Sequence, residues 1–120
     1  MATWVLSGTP ENWEVAVKQG VWGVGEKARN LWGKVQPGDR VVFYATRTGV
    51  IGYGVVEEKF VDEKPLWPRE KQEGRAIWPY RLRIRVEKLF PKPKPRPEGM
   101  LVAFAINKLS ESQLDALTRD

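Results

Sequence analysis

Apolar positions in this chain come in short runs, each closed by glycine, proline or charge. Trp4-Val5-Leu6 reads as a first strand. Thr9-Pro10-Glu11 then reads as an N-cap, a proline at the first helical position and an acid in the first turn. Trp13, Ala16 and Val17 share one face of the helix that follows, which makes Trp13 a core residue. Gly20 ends that helix. A second short helix is expected from Glu26 to Trp32, with Leu31, Trp32 and Val35 packing inward.

The period then changes from helix to strand. Gln36-Pro37-Gly38-Asp39 is a turn, and Arg40 to Thr46 is a nearly continuous β-forming run of the kind buried on both faces. Arg47-Thr48-Gly49 closes a hairpin, and Val50 to Val61 returns as the next strand. Gly52 and Gly54 lie on one face of it, as either a bulge or a flat wall beside a ligand. Lys64 to Ile77 reads as a long polar loop carrying Trp67-Pro68. From Tyr80 to Lys88 the alternation is clear: Tyr80, Leu82, Ile84 and Val86 point one way, and Arg81, Arg83, Arg85 and Glu87 the other. Phe90 to Pro97 alternates proline with basic residues, the pattern of a stiff extended connector. Met100 to Ile106 is a short apolar stretch, and Ser110 caps a last helix through Leu117, with Leu114 and Leu117 as its packing residues. There is no internal repeat, and residues 1–120 read as one domain, expected as a monomer.

Composition narrows the chemistry. Cysteine and histidine are both absent. That excludes disulfides, thiolate metal sites and the usual neutral-pH acid–base group. No apolar run approaches the ~20 residues of a membrane span, so a soluble cytoplasmic protein is expected. Abundant charge and proline without cysteine suit a heat-stable protein. No nucleophile and base stand at a recognisable spacing, and Gly23-Val24-Gly25-Glu26-Lys27 is too short for a phosphate loop. A metal-free acid mechanism would have only Asp39 or Asp62 to draw on. No enzyme, no cofactor and no metal site is therefore expected.

The charge is unevenly placed. Between Lys64 and Arg96 there are eleven basic and three acidic residues, while the rest of the chain is slightly acidic. Such asymmetry points to a polyanionic partner. Arg81, Arg83 and Arg85 on one strand face, with Lys92 and Lys94 beyond, are the expected phosphate contacts. The competing reading has Glu57 and Glu58 on the neighbouring strand neutralise the arginines. Six tryptophans and three tyrosines add stacking surface. Trp22, flanked by glycines in Gly20-Val21-Trp22-Gly23, is expected on a loop, as a core plug or a pocket wall. Trp67, Trp78 and Tyr80 also fall on loops or strand ends.

Read in order, several stretches resemble the EVE family of PUA-like domains. They are Trp4-Val5-Leu6-Ser7, Asn12-Trp13, Trp22-Gly23-Val24, Ala28-Arg29-Asn30, the run from Val35 to Tyr44, Ile51 to Val56, Phe60-Val61-Asp62, Trp78 to Ile84, and Leu109-Ser110. The related YTH domains carry an Asn ten residues before the Trp of Gly-Val-Trp, a spacing matched by Asn12 and Trp22. The resemblance implies an α+β fold, a PUA-like mixed β pseudobarrel with short flanking helices. It also implies a reader of a modified base, flipped into an aromatic cage. Trp22 would be one wall of that cage, Asn12 and Ser7 would be polar groups at its base, and Trp78, Tyr80 or Trp67 would stand opposite. The implied partner is nucleic acid, with methylated DNA in a restriction setting favoured, beside or fused to a restriction GTPase or nuclease. An RNA-binding protein acting on modified tRNA or rRNA, a small-molecule binder and an interaction module are the alternatives.

Overall fold

A computed structural model describes residues 2–119, so the two ends of the expected 1–120 unit lie outside the described residues. The elements in chain order are β1 (Thr3–Gly8), α1 (Pro10–Gln19), β2 (Val21–Val24), a turn of tight helix (Glu26–Ala28), α2 (Arg29–Lys34), β3 (Arg40–Ala45), β4 (Gly49–Val61), α3 (Pro68–Glu73), β5 (Tyr80–Lys94), β6 (Ile106–Lys108) and α4 (Glu111–Thr118). The six strands form one mixed sheet in the order β2-β5-β4-β3-β1-β6. Only the β1–β3 pairing is parallel. The sheet curls into a half-barrel with short helices, the α+β PUA-like architecture that the sequence implied.

Alternation along β1 and β3 divides the core between the two faces of this sheet. Trp4, Leu6, Val41 and Phe43 point to the face covered by α1, where they join Trp13, Trp22 and Trp67. Val5 and Val42 point the other way, to Met100, Leu109 and Leu117. Helix α1 is capped as its sequence predicts: the Thr9 hydroxyl accepts from Asn12 N, and Gly20 closes the helix at φ 69°. Asp39, in the Gly-Asp turn, is buried and structural. Its carboxylate accepts from Trp4 Nε1 at 2.9 Å, Gln36 N at 2.9 Å and Ala2 N at 3.2 Å.

Three expectations need correction. Trp22 lies on a strand, not a loop, because Val21 to Val24 pair with Tyr80 to Arg83. The Lys64–Ile77 segment contains α3. The connector is a strand as far as Lys94: two steps along β4, Val50 to Gly52, face five along β5, Lys94 to Leu89. That bulge admits Pro91 and Pro93, which could not donate to a regular ladder. Gly52 and Gly54 belong to the bulged β4–β5 ladder, where an added Cβ would meet the carbonyls of Lys88 and Arg85. Within the apolar stretch Met100–Ile106, Met100 and Ile106 are buried while Leu101 and Phe104 are each 66% exposed.

Candidate nucleic-acid interface

The two ends of the strand order meet at one cavity. Edge strand β2 comes against the C-terminal end of β1 and the residue before β6. Ser7, Trp22, Trp67, Trp78, Asn12 and Ala105 are among the residues lining about 440 Å³ between them. The approach is close. A Cβ on Gly8 would strike the Trp22 ring, and one on Gly23 would meet Trp67 at 2.9 Å.

Trp22 stacks on Trp13 with centroids 3.8 Å apart and planes within 7°. Trp67 stands edge-on to Trp22 at 6.1 Å and to Trp78 at 5.8 Å, so it joins the two rings. Trp22 is only 4% exposed and Trp67 is fully buried. Trp78 is the ring of the three that keeps intermediate exposure. Trp22 thus gives the cavity an edge, one of its faces being taken by Trp13.

Its indole nitrogen is the unusual group. Trp4 Nε1 donates to Asp39, Trp13 Nε1 to Tyr44 O at 2.8 Å, Trp32 Nε1 to Arg81 O at 3.1 Å and Trp67 Nε1 to Asn12 O at 3.1 Å. Trp22 Nε1 has no partner among the described residues, and neither does Ser7 Oγ; both atoms are buried. Leaving such a group unpaired costs about 1–3 kcal/mol. Both orphans belong to residues on the wall of the same cavity.

The wall carrying Trp67 and Trp78 is held by a residue the sequence reading passed over. Glu70 is fully buried. Its two oxygens accept from Leu66 N, Trp67 N, Ile77 N and Trp78 N at 2.8–3.2 Å. Arg81 Nη2 donates to the same carboxylate at 3.2 Å and to Lys64 O at 2.6 Å, and its other terminal nitrogen pairs with Asp62 at 3.4 Å. The signal was present as Trp67-Pro68-Arg69-Glu70, a proline at a helix start with an acid at the capping position.

Arg81 is therefore not part of an exposed phosphate-binding face; it is 2% exposed. Arg83 pairs with Glu58 at 3.1 Å, and Arg85 lies 3.8 Å from Glu57. The carboxylates of β4 answer the arginines of β5. Lys94 Nζ donates to Leu117 O at 2.8 Å, at the C-terminal end of α4 where a cation is favoured. Lys92 is exposed. Tyr80 is not among the lining residues but stands behind one of them, Glu26. Its hydroxyl donates to Glu26 Oε2 at 2.5 Å and its ring packs against Trp32 at 5.3 Å. That bond lowers the Glu26 pKa and raises that of Tyr80. Lys27 lies on the cavity wall itself. Arg47 sits in the β3–β4 turn, next to Thr46, whose N–H donates to Gly8 O at 2.9 Å. Neither cation pairs with a carboxylate among the described residues.

The EVE domain model matches residues 2–114. The chain belongs to the EVE domain family. The UPF0310 protein PH1033 of Pyrococcus horikoshii is 31% identical over 100 residues, which cover 74% of this EVE domain and 68% of that protein. Among solved structures, protein Atu2648 of Agrobacterium tumefaciens superposes with a TM-score of 0.61 at 19% identity, covering 98% of this chain and 90% of that one. The Mmi1 YTH domain in complex with RNA gives a TM-score of 0.52 at 20% identity, covering 73% of this chain and 53% of that one. These likenesses are of fold. No helix among the described residues is long and apolar enough to cross a membrane.

Proposed function

We propose that this EVE domain is a reader that takes one base of a nucleic-acid strand, modified by a small apolar group such as methyl, into the cavity beside Trp22. The observation that carries the reading is the pair of buried, unpartnered polar atoms, Ser7 Oγ and Trp22 Nε1, on the wall of an aromatic cavity. An indole N–H can only donate, while a hydroxyl both donates and accepts. A base edge offers ring nitrogens and carbonyl oxygens to the first and an exocyclic group to the second. Asn12 adds an amide to the lining, and Trp78 and Trp67 add aromatic wall. Base flipping costs a few kcal/mol of lost stacking. Aromatic contact at ~1–3 kcal/mol per base offsets it. One buried methyl adds about 0.8 kcal/mol, roughly fourfold in affinity.

Electrostatic hold on the strand falls first to Lys27 and Arg47, the cations near the cavity without a carboxylate partner. Lys92 can add to it. Arg83 and Arg85 contribute only by exchanging Glu58 and Glu57 for phosphate. The resemblance to restriction-associated domains favours methylated DNA, near a restriction GTPase or nuclease. A second reading, modified RNA, draws on the fold likeness to an RNA-bound YTH domain.

The test is fluorescence anisotropy with matched DNA and RNA oligonucleotides, with and without methylated adenine or cytosine. The wild-type chain should prefer one modified strand, with affinity falling steeply as salt rises. Trp22→Phe keeps an aromatic ring and removes the N–H; it should lower that affinity about tenfold, as for one lost hydrogen bond in a buried site. Binding of a free nucleoside with no salt dependence would instead mark a small-molecule site.

A further inference from the structure

Phe104 stands out because a large apolar side chain is exposed on a backbone that is pinned. The ring is 66% exposed. Its own carbonyl accepts from Asn107 Nδ2 at 2.7 Å, and Asn107 is buried. The next carbonyl, Ala105 O, accepts from Ser7 N at 3.0 Å. Met100, buried against Val5, Val42, Val50, Leu109 and Leu117, anchors the start of the same segment. A loosely held loop would fold an exposed Phe onto the nearest apolar surface. Here the backbone is held while the ring stays in solvent, at a cost in hydration.

Its position gives that exposure a use. Ala105, the next residue, is part of the cavity wall together with Ser7 and Lys27. The turn carrying Arg47 is tied to Gly8 on that wall. The apolar ring therefore stands next to a cavity with an aromatic wall, where Lys27 and Arg47 have no carboxylate partner among the described residues and the carboxylate on the wall, Glu26, is already held by Arg29 and Tyr80. That surroundings suit a polyanion with stacked apolar faces better than a protein partner of mixed charge.

We propose that Phe104 is a wedge: it enters the base stack at the position left when a base moves into the cavity. The inference rests on the base-reading function proposed above. Apolar side chains inserted between base steps hold a duplex unstacked, and a ring in the gap replaces stacking that flipping removes. The wedge therefore matters for a paired strand and not for a single one, whose bases are already free to leave.

The experiment measures affinity for duplex DNA with one central methylated adenine or cytosine, and for the same modified strand unpaired. It uses the wild-type chain, Phe104→Ala, Phe104→Leu and Leu101→Ala. Phe104→Ala should weaken duplex binding about tenfold, in line with loss of one stacked ring, and change single-strand binding by less than about twofold. Phe104→Leu should retain most of the duplex affinity. Leu101→Ala, which removes an equally exposed apolar group from the same segment, should leave both affinities unchanged. Thermal melting of each variant checks the fold. The wedge is overturned if Phe104→Ala weakens duplex and single strand alike, if Leu101→Ala matches it, or if the wild-type chain binds only single strands. It is also overturned if Phe104→Ala changes no nucleic-acid affinity, which would mark a protein-binding ring. A wild-type chain that binds none of these DNA strands overturns the wedge, and the reader function falls with it when the matched RNA strands also fail to bind.

Discussion

Two cavities flank the Trp13–Trp22 stack, and they differ in kind more than in size. Trp22 lines one of about 440 Å³, and Trp13 lines another of about 360 Å³ with Val17, Ala45, Ile51, Leu89 and Phe90. In the second, Trp13 is fully satisfied, its N–H donating to Tyr44 O. In the first, both a tryptophan N–H and a serine hydroxyl are left without partners. An apolar hollow beside a satisfied core ring needs no ligand to explain it. A cavity with two orphaned polar atoms carries a standing cost that binding would relieve. Two rings in face-to-face contact thus serve different purposes, and the hydrogen-bond census separates them where volume does not.

The largest expected effect breaks the first cavity altogether. Glu70→Ala removes the acceptor that ties Leu66, Trp67, Ile77 and Trp78 together and leaves buried Arg81 with Asp62 as its one remaining carboxylate partner among the described residues. Loss of one partner from a buried ion pair costs about 3–5 kcal/mol, to be read by urea denaturation. An Ala variant as stable as the wild type would mean that the wall is not held there.

The stack itself gives the next contrast. Trp13→Ala should cost ~3–5 kcal/mol in stability, the range for a buried tryptophan. Trp22→Phe should cost far less, because the lost packing is partly offset by removing an unpaired donor worth about 1–3 kcal/mol. Should the two substitutions destabilise equally, Trp22 is simply another core ring. The same logic at smaller scale applies to Ser7→Ala. It should leave the melting temperature unchanged or raise stability by up to about 1 kcal/mol, while lowering affinity for the modified strand. A clear loss of stability would show that the hydroxyl is satisfied in solution.

The smallest effect lies at Glu26, on the cavity wall, and at its partner Tyr80 behind it. Tyr80 lowers the Glu26 pKa below its ordinary value of 4.5, so that contribution is present above pH 4.5 and is lost as pH falls through the lowered value. Glu26 raises the Tyr80 pKa above its ordinary 10.0, so the second contribution is present below pH 10.0 and is lost as pH rises through the raised value. Tyr80→Phe should therefore flatten the stability profile slightly at both ends. Glu26 is exposed, Tyr80 is half-buried and Glu26 keeps Arg29 as a partner, so the change is small, and modified-strand affinity at neutral pH should not move.

What was legible in the chain was what neighbouring residues decide. Thr9-Pro10 and Gly20 delimit α1, the Gly38-Asp39 turn precedes β3, and Ser110 caps α4, because caps and turns act over three or four residues. Period-two alternation found β5, and the ordered set of segments found the family. Charge was read less well. Alternation put Arg81, Arg83 and Arg85 on one strand face and left two readings of it, phosphate contacts or neutralisation by Glu57 and Glu58. Asp62 and Glu70 enclose the first, and Glu58 and Glu57 answer the others.

By itself, then, the sequence determined β1, α1, β3, β4, the first part of β5 and α4 with their caps, and, through the family resemblance, the mixed sheet. Only the tertiary structure decided which buried tryptophan N–H goes unpaired, that Glu70 is the clasp behind Trp67 and Trp78, and that Tyr80 meets the cavity only through Glu26. The physical reason is range. A cap or an alternation is settled by residues a few positions apart, whereas the cavity is settled by partners such as Trp67 and Asn12, which are brought together only when the sheet curls.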